Sequence, residues 1–354
     1  MRVAVIHDWL TVYAGAERVL EQILNIFPKA DLFSVIDFFP KHLRKHLLDK
    51  KARTTFIQHL PFAKHLYRFY LPFMPVAIEQ LDLSGYDLVI SSSHAVAKGV
   101  LIAPGQRHLC YCHSPLRYAW DLHHAYLKGK TKPLTRYLLH KLRLWDVISS
   151  QRVDTFIANS RFIADRIERC YQRSAQVVSP PVAIEAFPLQ EQKQDYYVTA
   201  SRLVSYKRVD LIVEAFRSMP GRRLVVIGTG PEEKRLKRRA PGNITFTGHV
   251  SQEKMADYLG KARGFVYAAL EDFGIAPLEA QACGTAVIAY GKGGVRETCG
   301  QTALFFMEQT PDSIREAVEA FESRPPISPI RCRQNAERFS EAHFREEFLK
   351  QVGI

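Results

Sequence analysis

Short β-branched or aromatic runs alternate along the chain with stretches whose apolar residues recur at helical spacing, and this alternation predicts an α/β protein. In the first half, strands are expected at Val3–Ile6, Leu32–Ile36, Leu88–Ser91, His108–Tyr111, Thr155–Ala158 and Gln176–Val178. The second half supplies Tyr196–Thr199, Leu224–Ile227, Ile244–Phe246, Phe265–Ala268, Ala286–Ala289 and Ala303–Phe306. Val19, Leu20, Ile23, Leu24 and Phe27 share one helical face, as do Val209, Ile212, Val213 and Phe216. Two such series imply two parallel sheets. Ser179-Pro180-Pro181 and the polar 190–195 stretch interrupt the pattern between them, so a boundary is expected near residue 187. The expected organisation is a domain over 1–187, a second over 188–334, and a closing helical segment over 335–354.

The 354 residues are 47% hydrophobic and 24% charged, which suits about two globular domains and excludes wholesale disorder. The apolar run in Met1–Asp8 is too short for a secretory signal core, and no run of about 18 apolar residues occurs. Membrane contact is therefore expected to be peripheral. Six cysteines without paired ligand spacing read as buried thiols in a reducing compartment. Cys110-x-Cys112-His113 has no second pair to complete a zinc site, and no metal is expected.

The net charge of +13 is unevenly spread. Lys41 to Pro75 holds eight basic residues against the single acid Asp49, with Phe56, Phe62, Tyr67, Phe69, Tyr70 and Phe73 interleaved. Lys128 to Arg143 carries six basic residues (Lys128, Lys130, Lys132, Arg136, Lys141, Arg143) and no acid. Such stretches suit an anionic bilayer surface; nucleic acid or a solvated face over a packed insert are the alternatives.

Candidate chemistry gathers behind the strands. Glu271-Asp272-Phe273-Gly274-Ile275-Ala276-Pro277-Leu278-Glu279 follows one strand and opens a helix, where free amides face an anion. Glu271 is placed to accept from sugar hydroxyls. Glu279, expected in the helix's opening turn, could accept from a diol or serve simply as a dipole partner. Ser201-Arg202-Leu203-Val204-Ser205-Tyr206-Lys207-Arg208 follows another strand; Arg202 and Lys207 could neutralise a departing diphosphate, or be solvated loop cations. Gly228-Thr229-Gly230 is a tight turn. The turn at Gly15 could face a phosphate but lacks a full Gly-x-Gly-x-x-Gly. His113 closes a strand and could hydrogen-bond a sugar or be structural.

Together these residues resemble a retaining glycosyltransferase of family 4, built on the two-Rossmann-domain GT-B fold with sheets facing across a cleft. The resemblance rests on the glutamates Glu271 and Glu279, the pair Arg202 and Lys207, His113 and the Gly15 loop. Ile6-His7-Asp8-Trp9-Leu10 and Tyr111-Cys112-His113-Ser114-Pro115-Leu116-Arg117-Tyr118-Ala119-Trp120-Asp121 look like the branch of bacterial mannosyltransferases that act on lipid carriers. It departs from the family in Ala14 before Gly15, in Ser201 before Arg202, and in Ala286 after Gly284-Thr285.

The resemblance implies that Arg202 and Lys207 bind the donor diphosphate, Glu279 the ribose, and Glu271 with the backbone of Phe273, Gly274, Ile275 and Ala276 the hexose. Base contacts would fall at Val250, His113 would lie at the sugar, and Gly15 would let its loop approach the donor phosphate and the acceptor. The implied reaction moves a hexose, with mannose from GDP-mannose as the leading donor, onto a lipid-linked or polysaccharide-precursor acceptor. It needs no cofactor or metal beyond the nucleotide sugar and takes place at the cytoplasmic face of an anionic membrane. UDP-glucose or another UDP-sugar is the alternative donor. A non-catalytic nucleotide-sugar-binding protein and a nucleic-acid-binding protein are the readings from other classes, and no nucleic-acid partner is expected.

Overall fold

The computed structural model describes residues 1–121 and 133–353. All twelve expected strands form, and a short thirteenth joins an edge. In the first sheet they are β1 (Val3–His7), β2 (Asp31–Ser34), β3 (Arg53–Thr54), β4 (Leu88–Ser93), β5 (Arg107–Cys112), β6 (Thr155–Ala158) and β7 (Ala175–Val177), in the order β3-β2-β1-β4-β5-β6-β7. The second contains β8 (Gln194–Ala200), β9 (Leu224–Ile227), β10 (Ile244–Gly248), β11 (Ala262–Tyr267), β12 (Val287–Tyr290) and β13 (Ala303–Phe306), in the order β10-β9-β8-β11-β12-β13. Every neighbouring pair is parallel.

Parallel sheets bury both faces, so alternate side chains enter different apolar layers. In β1, Ala4 and Ile6 pack with Phe33 and Val89, whereas Val3 and Val5 pack with Leu32 and Ile90. The second sheet repeats this: Val198, Phe265 and Val287 enter one layer, and Tyr197, Val266 and Ile288 the other. The helix Gly15–Ile26 buries Val19, Leu20, Ile23 and Leu24, each contributing roughly 1.5–3 kcal/mol. Val209–Arg217 likewise buries Val209, Ile212, Val213 and Phe216.

The chain forms two compact units, Met1–Pro180 with Phe344–Ile354, and Pro181–His343. The first division thus falls before residue 187, because Val182, Ile184 and Phe187 already belong to the second unit's core. The return falls after residue 335 for the same reason: Ala336 and Phe339 remain in that core. Nor does one helix close the chain. Pro329–Glu337 and Glu341–Val352 are separate, and Phe344, Phe348 and Val352 of the latter pack in the first unit.

The basic and aromatic insert folds as short turns: Lys41–Leu47, Phe56–His59, Ala63–Leu66, Tyr67–Phe73 and Met74–Glu79. Tyr67 is buried against Trp9, but Phe62, Phe69 and Phe73 are 75%, 78% and 58% exposed. Lys128, Lys130 and Lys132 of the second basic stretch lie outside the described residues; Arg136 and Lys141 are exposed on the helix Pro133–Ser150.

Candidate functional site

In a doubly wound sheet, the loops leaving the two strands where the order reverses diverge to opposite faces and open a crevice at their carboxyl ends. In the second unit those strands are β8 and β11. The first carries the loop with Arg202 and Lys207, and the second the loop with Glu271. The two motifs meet there: Lys207 Nζ forms an ion pair with Glu271 Oε1 and lies 3.2 Å from the Tyr267 hydroxyl. Burial alone would lower the Lys207 pKa, but Tyr267 and Glu271 outweigh it and hold the ammonium firmly charged. Burial raises the Tyr267 hydroxyl pKa, and the Glu271 charge adds to that, so the phenol stays protonated. Arg202 is exposed on the same loop.

Two glycines let neighbouring loops press against these. A Cβ on Gly230 would stand 2.3 Å from the Leu203 carbonyl oxygen, and one on Gly294 2.3 Å from that of Asp272. Hydrogen bonds use the space: Leu203 N–H donates to Thr229 O at 2.9 Å, and Gly294 N–H to Glu271 O at 2.9 Å. By sequence Gly228-Thr229-Gly230 reads as a plain turn, and Gly293-Gly294 and Tyr267 are not among the candidate residues. The adjacent glycines were a visible signal; the phenol contact was not.

Gly274, with φ 98°, starts the helix Ile275–Ala282. Ile275 and Ala276 are partly exposed in its first turn, whose amides have no intrahelical partner. The Phe273 ring is buried, 5.6 Å from the Phe339 ring. Glu279 is buried in the second turn, not the opening one, because the helix begins at Ile275. Val250 follows β10 and packs partly buried on the core.

The first unit reverses its strand order between β1 and β4. Here the chain supplies its own anion. Buried Asp8 accepts from the amides of His94 (2.6 Å), Ala95 (3.0 Å), Val96 (2.6 Å) and Ala97 (2.7 Å). Burial would raise its pKa, but His94, 3.0 Å away, and these donors hold the carboxyl far below the usual carboxylate range. The same contact raises the His94 pKa against the effect of burial. Gly15 opens its helix partly exposed, and the amide of Ala14 before it is taken by Glu17 Oε2 at 2.9 Å. Ala14 is extended and neither residue has positive φ, so alanine costs that turn nothing. His113 follows β5, half-buried, with Nε2 2.9 Å from Ser92 Oγ. The structure thus joins Lys207 with Glu271 in one unit and places His113 and Gly15 in the other.

Five cysteines are buried and Cys170 is partly so; none is paired. Among the described residues no helix is long and apolar enough to cross a membrane.

Two family models match successive halves of the chain, Glycosyltransferase Family 4 over residues 13–186 and Glycosyl transferases group 1 over 165–339. A GDP-mannose-dependent alpha-(1-6)-phosphatidylinositol dimannoside mannosyltransferase of Mycobacterium tuberculosis (strain ATCC 25177 / H37Ra) is 31% identical over 164 residues, 44% of this chain and 43% of that protein. Glycogen synthase of Pseudomonas aeruginosa PAO1 is 31% identical over 166 residues, 43% of this chain and 32% of the relative. The matched region is therefore less than half of each of these relatives' lengths. The crystal structure of Anabaena Alr3699/HepE in complex with UDP and glucose superposes with a TM-score of 0.72 at 14% identity, covering 99% of both chains, and shares the fold. With both halves matched and two parallel doubly wound sheets in place, the chain belongs to glycosyltransferase family 4 and has the GT-B architecture.

Proposed function

We propose that the protein is a retaining hexosyltransferase that moves mannose from GDP-mannose onto a lipid-linked or polysaccharide-precursor acceptor. The observation that carries this reading is the meeting of Lys207 and Glu271 at the strand-order reversal of the second unit. A cation and a carboxylate held side by side suit the two ends of a nucleotide sugar. Lys207 and exposed Arg202 face the diphosphate and stabilise its charge as the glycosidic bond breaks, a role in which fixed cations replace a metal. Glu271 accepts from hexose hydroxyls, the first-turn amides of Ile275 and Ala276 hold the sugar end, and Glu279 accepts from the ribose. Val250 lies at the base, His113 at the sugar, and the Gly15 turn approaches the donor phosphate and the acceptor. Attack from the face the nucleotide leaves keeps the anomeric configuration without a protein nucleophile.

The mannose assignment draws on the mannosyltransferase relative, and the lipid-linked acceptor on the first unit's surface. Exposed Phe62, Phe69 and Phe73 stand among exposed Lys64 and Arg68, beside a cavity of about 360 Å³ lined by Trp9, Phe69, Leu71, Met74 and Leu138. Aromatics with cations fit an anionic bilayer, which supports a peripheral position on the cytoplasmic leaflet.

A UDP-sugar is the second donor reading, favoured by the UDP and glucose in the Anabaena structure. Thermal shift with GDP, UDP, ADP and their sugars separates the two, because a ligand of the folded state raises its stability with concentration. A shift with GDP-mannose that Lys207→Ala abolishes is expected. Stabilisation by UDP-sugars alone overturns the mannose assignment, and no shift with any nucleotide overturns the transferase reading.

A further inference from the structure

The two basic stretches, far apart in sequence, meet within the first unit around one recess. Tyr67–Phe73 supplies Phe69 and Leu71 to its wall, and the helix Pro133–Ser150 supplies Leu138 and Leu142. Trp9, two residues beyond the end of β1, lines it as well. The recess therefore lies toward the carboxyl end of the first sheet, the side on which open α/β sheets take ligands. Its volume of about 360 Å³ falls in the range of small-molecule sites, roughly 300–1,000 Å³. Among the described residues that line it, Arg68 alone is charged.

Apolar walls do not choose an occupant, but the charge beside them does. Arg68 and Lys64 are exposed, and neither has an ion pair among the described residues. Asp146, the one acid of the helix Pro133–Ser150, is buried and paired with Lys98, and the sequence over 122–132 contains no acid. The backbone amides of residues 94–97 are already taken by Asp8, so an anion arriving here is met by side chains. A guanidinium at the edge of an apolar recess matches a hydrocarbon chain that ends in a phosphate. A bilayer anchor works through groups that protrude, as Phe62 and Phe73 do without lining the recess, whereas a recess takes a single chain out of the bilayer.

We propose that this recess of the first unit binds the hydrocarbon chain of a lipid phosphate, the acceptor, with Arg68 on its phosphate. The proposal rests on the reading of the acceptor as lipid-linked and gives that lipid a place on the chain.

The test is calorimetric titration of the full chain with farnesyl phosphate below its micellar concentration, beside farnesol and inorganic phosphate. Saturable one-to-one binding of farnesyl phosphate is expected, with none detectable for inorganic phosphate. Arg68→Gln should weaken farnesyl phosphate roughly tenfold or more, the size of one charge-assisted hydrogen bond, and leave farnesol unchanged. Thr135→Trp and Leu138→Trp should fill the recess and abolish binding of both; Thr135 lines it from an exposed helix position, so a ring there leaves the fold intact. Sedimentation with anionic phospholipid vesicles should be undiminished in these two variants and reduced in Phe62→Ser combined with Phe73→Ser. Absence of saturable binding, wild-type affinity in both tryptophan variants, or vesicle binding lost in them as fully as in the double serine variant overturns the proposal. Label passing from the stabilising nucleotide sugar into a bacterial lipid extract equally well with wild type and both tryptophan variants also overturns it, while sparing the lipid-linked acceptor. Farnesyl phosphate held at the recess with no label entering lipid overturns the lipid-linked acceptor instead, so the two failures are told apart.

Discussion

The two sheets are wound alike and reverse their strand order at corresponding places, yet they fill those places in opposite ways. In the first unit the reversal is plugged from within: the Asp8 carboxylate takes four successive amides at residues 94–97, a set of donors that would otherwise suit a bound anion. In the second, the reversal carries Lys207 and Glu271 as a partly exposed pair, with Arg202 exposed on the same loop. Topology opens a crevice in both. The residues placed there decide whether it is closed by the chain or left for a ligand, and this is why the donor is proposed for the second unit.

The comparison breaks most visibly at Asp8. Asp8→Asn keeps the shape but loses the charge and leaves amides and the His94 imidazolium poorly paired, so unfolding free energy should fall by about 3–5 kcal/mol in a urea titration. The remaining folded protein should still be stabilised by the donor nucleotide. Lys207→Ala should do the reverse. It should lower kcat/KM by roughly 10²- to 10³-fold, as loss of one preorganised charge-stabilising group does, while changing stability by about 1 kcal/mol or less because the pair is part-solvated.

Acid sharpens the contrast. His108 on β5 is fully buried, with Nδ1 3.2 Å from Arg152 O and Nε2 2.8 Å from Ser91 Oγ, and burial pushes its pKa down to about 4. The unfolded chain binds this proton near pH 6.5 and the folded chain does not, so stability should fall as pH drops from about 6.5 to 4, by about 3 kcal/mol. His108→Gln should flatten that slope in denaturation curves. The second unit contains His249 and His343, both exposed, so the first should loosen before it as pH falls. Smallest of all is the effect expected of EDTA: under the proposed role of Arg202 and Lys207 in stabilising the leaving diphosphate, transfer should proceed at an unchanged rate.

Much of this was legible because parallel strands buried on both faces leave dense apolar runs. Leu224–Ile227 and Thr155–Ala158 form as read, whereas Arg53–Thr54 escaped notice because a two-residue edge strand carries no periodicity. Site loops could be placed because each follows a strand. Their contacts could not: Lys207 and Glu271 are 64 positions apart, and only the β8–β11 pairing brings their loops together. Asp8 and Ser92 were harder still, since a lone acid or serine beside a strand gives no sign of the amides or rings it will meet. The unit boundaries slipped because prolines mark where a chain can turn, whereas membership is decided by where Val182 and Phe339 are buried.

The helix Glu341–Val352 gives the chain an unusual order of completion. Phe344, Phe348 and Val352 pack in the same layer as Val5, Ile90 and Tyr111, and Arg107 reaches the carbonyl oxygens of Gln351 and Val352. A ribosome releases the second unit, contiguous from Pro181 to His343, before it releases the last piece of the first. Emerging domains fold as they become available, so the unit whose synthesis starts earlier is the one whose core closes later. Until residue 352 is out, a nascent chain keeps part of its first apolar layer uncovered beside a neighbour that already has every residue it needs.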